Sequence, residues 1–164
     1  MPLLRAPVLV ADAVRHGFTT RHGGVSPTPF DTLNLGRGVG DHPDRVAANR
    51  ERALEAVECD PVGHVEAAQV HGRAVAVVGR GQRGEKIAGA DALLTTEPGV
   101  VLAIHTADCV PILLWDLRRG AIGAVHAGWR GTAVGVAAAA VEEMTRSFET
   151  DPADLRVAMG PAVG

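Results

Sequence analysis

Residues 100–129, VVLAIHTADCVPILLWDLRRGAIGAVHAGW, are the most apolar part of the chain and decide its fold. Their pattern predicts three closely spaced strands, the last two joined by a hairpin turn, at residues 100–107, 110–116 and 121–129. His105, Asp108 and Cys109 interrupt what should be buried strand. Burying such groups costs free energy unless they are paired, hydrogen-bonded or bound to a metal. The stretch therefore predicts a sheet that carries polar chemistry.

Two helices and several shorter strands are predicted around this stretch. Pro43–Val57 predicts a helix capped by Asp41 or His42, and residues 132–148 predict a single helix despite Gly135. The apolar face of the first helix is expected to hold Val46, Ala47, Leu54 and Val57. Further strands are predicted within residues 7–21, 64–79 and 155–161, with loops at 22–43 and 80–90. This order predicts an α/β (α+β) fold with a mixed β-sheet and flanking helices.

The bulk composition is that of an ordinary globular protein. The chain has 164 residues, 46% hydrophobic and 21% charged, which fits a single domain over residues 1–164. Its net charge of -3 gives no electrostatic footprint for nucleic acid or anionic membrane. The sequence predicts no membrane span and no signal peptide, and Cys59 and Cys109 are interpreted as free thiols. A cytoplasmic protein is the default expectation.

Three of the seven histidines, His71, His105 and His126, stand in or beside apolar strand patterns. His71, Cys109 and His126 each fall near the end of a predicted strand, and strand ends in one sheet can converge. A catalytic zinc site takes three protein ligands from separate elements and leaves a fourth position open. The pattern therefore allows a metal site, and the alternative is a set of scattered structural residues.

Cys109 also allows a covalent interpretation. A cysteine beside a histidine can be a thiolate nucleophile oriented by a third polar group. In that case Asp108 would be the third polar group, and His126 or His105 would act as the base. The alternative is that Cys109 is a small buried apolar residue.

Residues 126–132, HAGWRGT, are predicted to lead from a strand end through a glycine-rich turn into a helix. Such a turn exposes N–H groups to an anion, Arg130 would add a charged fork for phosphate, and Trp129 would stack on a flat ring. The alternative is a simple strand-to-helix turn. Polar groups of the N-terminal loop, among them Arg21 and Asn34, either cover a site or belong to an ordinary surface loop.

Several motifs resemble those of the laccase-domain family, formerly called multicopper polyphenol oxidoreductases. That family includes the peptidoglycan editing factor and the purine nucleoside phosphorylases now grouped with it. The combination of QVHG, TADC and HAGWRG is quite specific. The matching stretches are residues 18–36, 39–50, 69–72, 106–116, 124–132 and 160–164.

The resemblance implies a layered α/β sandwich, similar to bacterial deamidase toxins, and one bound metal ion. By motif the ligands are His71, Cys109 and His126, with zinc as the expected metal and copper as a possible replacement. The implied activity is phosphorolysis of adenosine, inosine and S-methyl-5'-thioadenosine, with adenosine deamination as a second reaction. The partners would be a purine nucleoside and phosphate. A full multicopper laccase needs many more gathered histidines than the two, His71 and His126, with a ligand role here.

Within that activity we predict roles for further residues. Asp108 would orient a ligand or handle a proton. Arg130, with the helix start at Thr132, would bind phosphate, and Arg21 is the second candidate. The remaining candidate substrate-binding residues are Asn34, Gln69 and Trp129.

Two departures from the family pattern bear on these expectations. Ala162 stands where the family commonly has a cysteine, and family members usually continue beyond this motif, so we expect a chain truncated at Gly164. The alternatives are a cysteine-dependent hydrolase or amidase, a copper-dependent polyphenol oxidoreductase, and a non-catalytic zinc module. No family motif claims His105, which strand alternation would place on the same face as Cys109.

Overall fold

The computed structural model describes residues 1–10, 13–60 and 63–163. The chain divides into two compact units, Met1–Pro61 and Val62–Gly164. A single domain over residues 1–164 stays a prediction. Gly164, the last residue of the GPAVG motif, lies outside the described residues.

The first unit begins with a small two-stranded sheet. Strand β1 (Leu3–Leu4) pairs antiparallel with β2 (Phe18–Thr19). The sequence predicted a strand at the start of residues 7–21, but Pro7–Leu9 form a 3-10 turn. Proline has no N–H to give to a strand ladder, which favours the turn. Residues 11 and 12 of that predicted segment lie outside the described residues.

Helix α1 (Pro43–Ala56) confirms the predicted helix to within one residue. His42 caps it, because the imidazole Nδ1 accepts a hydrogen bond from the Asp44 N–H at 3.3 Å. Ala47 was expected on the buried face but is exposed. The helix instead buries Asn49, whose side chain serves the preceding loop.

A buried polar network fixes the loop that precedes α1. The Asn49 amide accepts from the Val25 N–H at 2.8 Å and donates to Ser26 Oγ at 2.8 Å and to the Asn34 carbonyl at 3.0 Å. The Ser26 hydroxyl in turn donates to the Asp41 carboxylate at 2.6 Å. Side chains, rather than a regular β-ladder, therefore supply the hydrogen bonds that the buried polar groups of this loop need.

The described part of the second unit contains eight strands and two α-helices. They are β3 (His64–Ala68), β4 (Val75–Val77), β5 (Lys86–Ala88), β6 (Ala92–Thr95), β7 (Val101–Ala103), β8 (Val110–Asp116), β9 (Ile122–Ala127), α2 (Trp129–Ala133), α3 (Val136–Phe148) and β10 (Leu155–Met159). One sheet has the order β10-β8-β9-β6-β4, with only β4 and β6 parallel among its neighbours. A separate sheet, β5-β3-β7, is parallel.

Strand β6 shows how the layers stack. Ala92 and Leu94 belong to the apolar cluster that includes residues of α3, whereas Leu93 belongs to the cluster that includes Val65 of β3. All of β6 is buried because both of its faces are covered. The five-stranded sheet therefore lies between α3 and the three-stranded sheet.

Several connections differ from the sequence-based expectation. The predicted loop at residues 80–90 contains a 3-10 turn and strand β5, which forms the edge beside β3. The strand predicted over 100–107 ends at Ala103 and pairs with β3 in the other sheet, not with β8. Both differences depend on which strands pair with each other, and apolar periodicity in the sequence carries no information about pairing partners.

The helix predicted over residues 132–148 is two helices. α2 begins at Trp129, three residues earlier than predicted, and Gly135 separates it from α3. Gly135 has φ 79°, a left-handed conformation that glycine adopts at little cost. The break between α2 and α3 therefore comes from Gly135, which the prediction of one continuous helix had tolerated.

The predicted α/β fold class is confirmed, since the second unit stacks a mixed sheet between α3 and a parallel sheet. The likeness to deamidase toxins stays a prediction. In the described ranges, no helix is both long enough and apolar enough to span a membrane.

Candidate metal centre

Three side chains that the motifs single out converge in the second unit. One donor atom each from His71, Cys109 and His126 lies within 4.8 Å of the other two. The two imidazole rings meet edge to face, with centroids 4.8 Å apart and planes at 82°. His71 is exposed, Cys109 is half-buried and His126 is buried. Two imidazoles and a thiolate are donors that zinc and copper accept, so this group can hold a metal.

The antiparallel pairing of β8 and β9 brings two of these residues together. His126 lies near the end of β9 and pairs with Pro111, while Ala127 pairs with Val110. Cys109 immediately precedes Val110, so the register itself sets the thiol beside the end of β9. The predicted convergence of strand ends is therefore correct for these two residues.

His71 reaches the group from a loop rather than from a strand. It follows β3 and has φ 61°, a left-handed conformation that costs free energy for a residue with a Cβ. Its N–H donates to the Asp91 carboxylate at 2.9 Å. The neighbouring Val70 and Gly72 N–H groups donate to the same carboxylate at 3.2 and 2.8 Å. Three consecutive hydrogen bonds to one carboxylate thus hold the loop in this conformation.

Asp91 is the candidate site residue that sequence reasoning missed. It is fully buried, and its Oδ1 lies 2.8 Å from His126 Nδ1. An ionised carboxylate only accepts, so this bond requires the proton on Nδ1 and leaves Nε2 to face a metal. The available signal was a lone carboxylate directly before the apolar run Ala92–Leu94. Asp91 is therefore placed to orient His126, and the role expected of Asp108 stays a prediction.

The electrostatics of Asp91 favour the ionised form. Burial alone would raise the pKa of this carboxyl group. Hydrogen bonds from His126 and from the N–H groups of residues 70–72 outweigh burial and hold the pKa below its ordinary value. A permanent negative charge thus lies behind His126.

The two glycines of HAGWRG are required by close approach. A Cβ at Gly128 would lie 2.9 Å from His71 Cδ2 and 3.0 Å from Cys109 Sγ. A Cβ at Gly131 would lie 2.9 Å from the Gly72 carbonyl oxygen. The two 2.9 Å distances are shorter than side chains tolerate and the 3.0 Å distance is at the limit, so the motif is glycine-rich because the loops touch there.

Gln69 and His105 form a second link between the two ligand loops. The Gln69 amide donates to the His105 carbonyl at 2.7 Å and accepts from the His105 N–H at 2.8 Å. Both ends of the predicted substrate-binding amide are therefore engaged with backbone. The His105 ring points at Glu66, with 3.5 Å between Nε2 and Oε2. Because β7 ends at Ala103, strand alternation does not relate His105 to Cys109.

Trp129, Arg130 and Thr132 of the HAGWRGT stretch are exposed, but the helix start differs from the prediction. Trp129 is 76% exposed, and the Arg130 guanidinium carbon lies 5.0 Å from its ring centroid. Thr132 does not begin the helix, because its N–H already donates to the Gly128 carbonyl at 2.8 Å. The predicted helix start at Thr132 is therefore wrong, and the phosphate-binding roles of Thr132 and Arg130 stay predictions.

The other predicted residues are placed as follows. Asp108 is exposed, directly before Cys109. In the first unit, Arg21 is exposed and its Nε donates to the Asp31 carbonyl at 3.2 Å. The Asn34 side chain contacts Gly36, and its Nδ2 donates to the Asp41 carboxylate at 3.1 Å. Asn34 thus belongs to the network that fixes its own loop, and binding roles for these residues stay predictions.

The sequence profile of one family covers most of the chain. A family described as multi-copper polyphenol oxidoreductase laccase matches residues 15–164. The chain belongs to this family. The resemblance inferred from QVHG, TADC and HAGWRG is therefore confirmed.

Curated relatives within the family match nearly the whole chain. A purine nucleoside phosphorylase of Streptomyces griseus is 46% identical over 155 residues, 94% of this chain and 63% of the relative. A purine nucleoside phosphorylase of Deinococcus radiodurans is 45% identical over 163 residues, 99% of this chain and 61% of the relative. The chain thus spans about three fifths of the length of these relatives.

Solved structures of the family share the fold. YlmD from Geobacillus stearothermophilus matches with a TM-score of 0.86 at 41% identity, over 90% of this chain and 57% of that one. The Bacillus licheniformis hypothetical protein YfiH matches with a TM-score of 0.86 at 39% identity, over 90% of this chain and 58% of that one. Both similarities agree with the confirmed fold class.

Proposed function

We propose that this protein is a zinc-dependent purine nucleoside phosphorylase. Its substrates would be adenosine, inosine and S-methyl-5'-thioadenosine, and adenosine deamination would be a second reaction. The observation that carries the proposal is the converging group His71, Cys109 and His126. Relatives that match almost the whole chain bear the name purine nucleoside phosphorylase, which supports the choice of reaction.

The donor set fits a catalytic zinc better than a structural one. Within the described residues, three protein donors gather, whereas structural zinc sites use four. The buried Asp91 behind His126 is the kind of partner that fixes a metal-bound imidazole. His71, Cys109 and His126 would hold the zinc ion, which would supply Lewis-acid chemistry to this site.

In phosphorolysis the chain's own residues bind the reactants and manage the proton. A phosphate oxygen attacks C1' of the ribose, the C1'–N9 bond breaks, and the electron pair leaves with the base. The exposed Arg130 guanidinium would hold the phosphate, with Arg21 as the second candidate. The exposed Trp129 would stack on the purine, and Asp108 would carry the proton that the departing base needs.

The direct test is product analysis. Incubation of the zinc-loaded chain with adenosine and phosphate should yield adenine and ribose 1-phosphate, and inosine should appear if deamination also occurs. Inosine and S-methyl-5'-thioadenosine should likewise yield their free bases. Zinc-loaded protein that forms no ribose 1-phosphate from adenosine or inosine, and no 5-methylthioribose 1-phosphate from S-methyl-5'-thioadenosine, would contradict the proposal.

Cys109 provides the matched variant. Cys109→Ala removes one of three donors, so zinc affinity should fall by more than the roughly 10–100-fold that loss of an outer hydrogen-bond partner costs. Phosphorolysis should fall with it. Cys59→Ala is the control, because Cys59 is also a free thiol but belongs to the first unit. Equal zinc binding by both variants would remove Cys109 from the site.

The same three residues also suit two other functions, a cysteine hydrolase and a copper-dependent oxidoreductase. A thiolate beside two imidazoles is also a possible nucleophile for a cysteine hydrolase, and it is also a ligand set for copper. If the hydrolase hypothesis holds, alkylation of Cys109 should abolish hydrolysis in metal-free protein. If the copper hypothesis holds, the purified protein should contain copper and show a thiolate-to-copper absorption band. Stoichiometric zinc with phosphorolysis excludes both.

A further inference from the structure

A second cluster of titratable side chains, Glu66 with His64 and His105, has no part in the proposed reaction. The Glu66 side chain is only 8% exposed. Its Oε1 lies 2.8 Å from His64 Nε2, and its Oε2 lies 3.5 Å from His105 Nε2. One buried carboxylate is thus placed against two imidazoles.

The topology puts this cluster at the base of both ligand loops. Strands β3 and β7 are parallel neighbours, and Glu66 pairs with Ala103 in their register. The chain leaving β3 carries His71, and the chain leaving β7 carries Cys109. His105 lies two residues past the end of β7 and four residues before Cys109.

Gln69 extends the pairing of β3 and β7 beyond their last ladder bonds. Its amide makes two hydrogen bonds to the His105 backbone, in the manner of one more ladder step. The backbone of His105 is therefore held by Gln69, and its ring is held by Glu66. The Gln69 hydrogen bonds and the Glu66 contact together fix the start of the loop that ends at Cys109.

We propose that Glu66 is a positioning residue that acts through the His105 ring to set the Cys109 loop. The inference rests on the metal-ligand role of Cys109 in the proposed function. Asp91 would fix the two histidine ligands, and Glu66 would fix the cysteine ligand, so that each loop has its own buried carboxylate. A buried carboxylate suits this task because the low dielectric of the protein interior strengthens the interaction of its charge with a neighbouring polar ring.

The test is metal binding by variants of the whole chain, with cobalt(II) as the probe because zinc is spectroscopically silent. Glu66→Gln and His105→Ala should each weaken cobalt binding about 10-fold and diminish the thiolate-to-cobalt absorption band. His105→Ala leaves the backbone bonds of Gln69 in place, so it tests the ring contact alone. Because Glu66 acts through this ring, the double variant should bind cobalt no more weakly than His105→Ala.

Asp116→Asn is the matched control. Asp116 is also a buried carboxylate, but it lies at the far end of β8 and accepts the N–H groups of Arg118 and Arg119. Its loss should leave cobalt affinity unchanged. Equal weakening by Asp116→Asn would assign the effect to general destabilisation, and unchanged affinity in Glu66→Gln would show that Glu66 does not position the loop; either result overturns the proposal.

A second measurement separates this proposal from the proposed function. If the wild-type chain binds neither zinc nor cobalt, the metal-dependent function fails, and the position of Cys109 is read by iodoacetamide alkylation in a Cys59→Ala background. Glu66→Gln and His105→Ala should then alkylate severalfold faster than the wild-type loop, because the thiol is released. Rates equal to the wild type would overturn the positioning role by themselves.

Discussion

At the scale of single residues, Asp91 organises two candidate ligands without offering an atom to the metal. One carboxylate oxygen faces His126 Nδ1, and the pair of oxygens receives three N–H groups from the His71 loop. The strained left-handed backbone of His71 persists because these bonds hold it. The orientation of the His126 ring and the backbone conformation of His71 thus both depend on the buried Asp91 carboxylate.

Asp91→Asn should show whether the hydrogen-bonding carboxylate of Asp91, and not only its size, holds the two candidate ligands in place. The amide keeps the size of the carboxylate but has one acceptor oxygen, so two or more of the four donors lose their partner. We expect zinc affinity to fall about 10–100-fold and unfolding free energy to fall by about 3 kcal/mol. Isothermal titration and urea unfolding measure the two effects. A variant with wild-type zinc affinity would show that Asp91 does not orient His126.

At the scale of elements, the candidate site lies where three connections touch. The β3–β4 loop carries His71, the β7–β8 loop carries Cys109, and Gly128 joins β9 to α2. The approach is close enough that a Cβ at Gly128 would overlap both neighbouring ligands. The HAGWRG motif therefore combines a ligand with the space that the other ligands need.

Gly128→Ala should disturb the site and leave the fold nearly intact. The backbone at Gly128 has φ −74° and ψ 168°, which alanine adopts freely, so the effect comes from the added methyl group alone. We expect zinc affinity to fall about 10-fold or more, with little change in thermal stability. Gly81→Ala is the control, because a Cβ there meets nothing within 4 Å. Equal zinc affinity in both variants would contradict the steric account.

At the scale of the whole molecule, the two units have different cores. The first unit is held by a buried hydrogen-bond network that includes Asn49, Ser26 and Asp41. The second unit is held by two apolar clusters on either side of its five-stranded sheet. With aromatic residues at only 3% of the chain, the clusters are built almost wholly from aliphatic side chains.

Acid should destabilise the protein in two stages. Burial, aided by Arg5, lowers the pKa of His16. Hydrogen bonding from Ser26 lowers the pKa of Asp41, and in Asp91 and Asp116 hydrogen bonds outweigh the opposing effect of burial and lower the pKa as well. For all four groups the unfolded state binds more protons, so stability rises with pH. It should begin to fall below about pH 6.5 and fall more steeply below about pH 4.

Urea unfolding at pH 7, 5 and 3 checks this prediction. The midpoint should decrease from pH 7 to pH 5 and again to pH 3. Asp116→Asn should be less stable than the wild type at pH 7, but its midpoint should change less between pH 5 and pH 3. A midpoint that rises on acidification would contradict the sign of the pKa shifts.

Features of this protein that depend on local pattern are predictable from its sequence. Apolar runs bounded by turn residues predict β8 and β9, because burial and strand length are local properties. The ligand types are readable for the same reason, since a histidine or cysteine within an apolar run is anomalous wherever the run is placed. That anomaly did not separate the ligands from His105, and only the resemblance of QVHG, TADC and HAGWRG to family motifs named His71, Cys109 and His126 as the expected ligands.

Tertiary structure alone decided which groups meet. Asp91 lies 35 residues from His126, and Gln69 lies 36 residues from His105, so no periodicity connects either pair. The placement of β7 beside β3, the closeness of Gly128 to His71, and the contact of Glu66 with His105 depend likewise on how strands pair. Strand pairing is a competition among all available edges and faces of the chain. Its outcome is fixed only when the layers pack together, because only then do the buried carboxylates find the donors that make their burial tolerable.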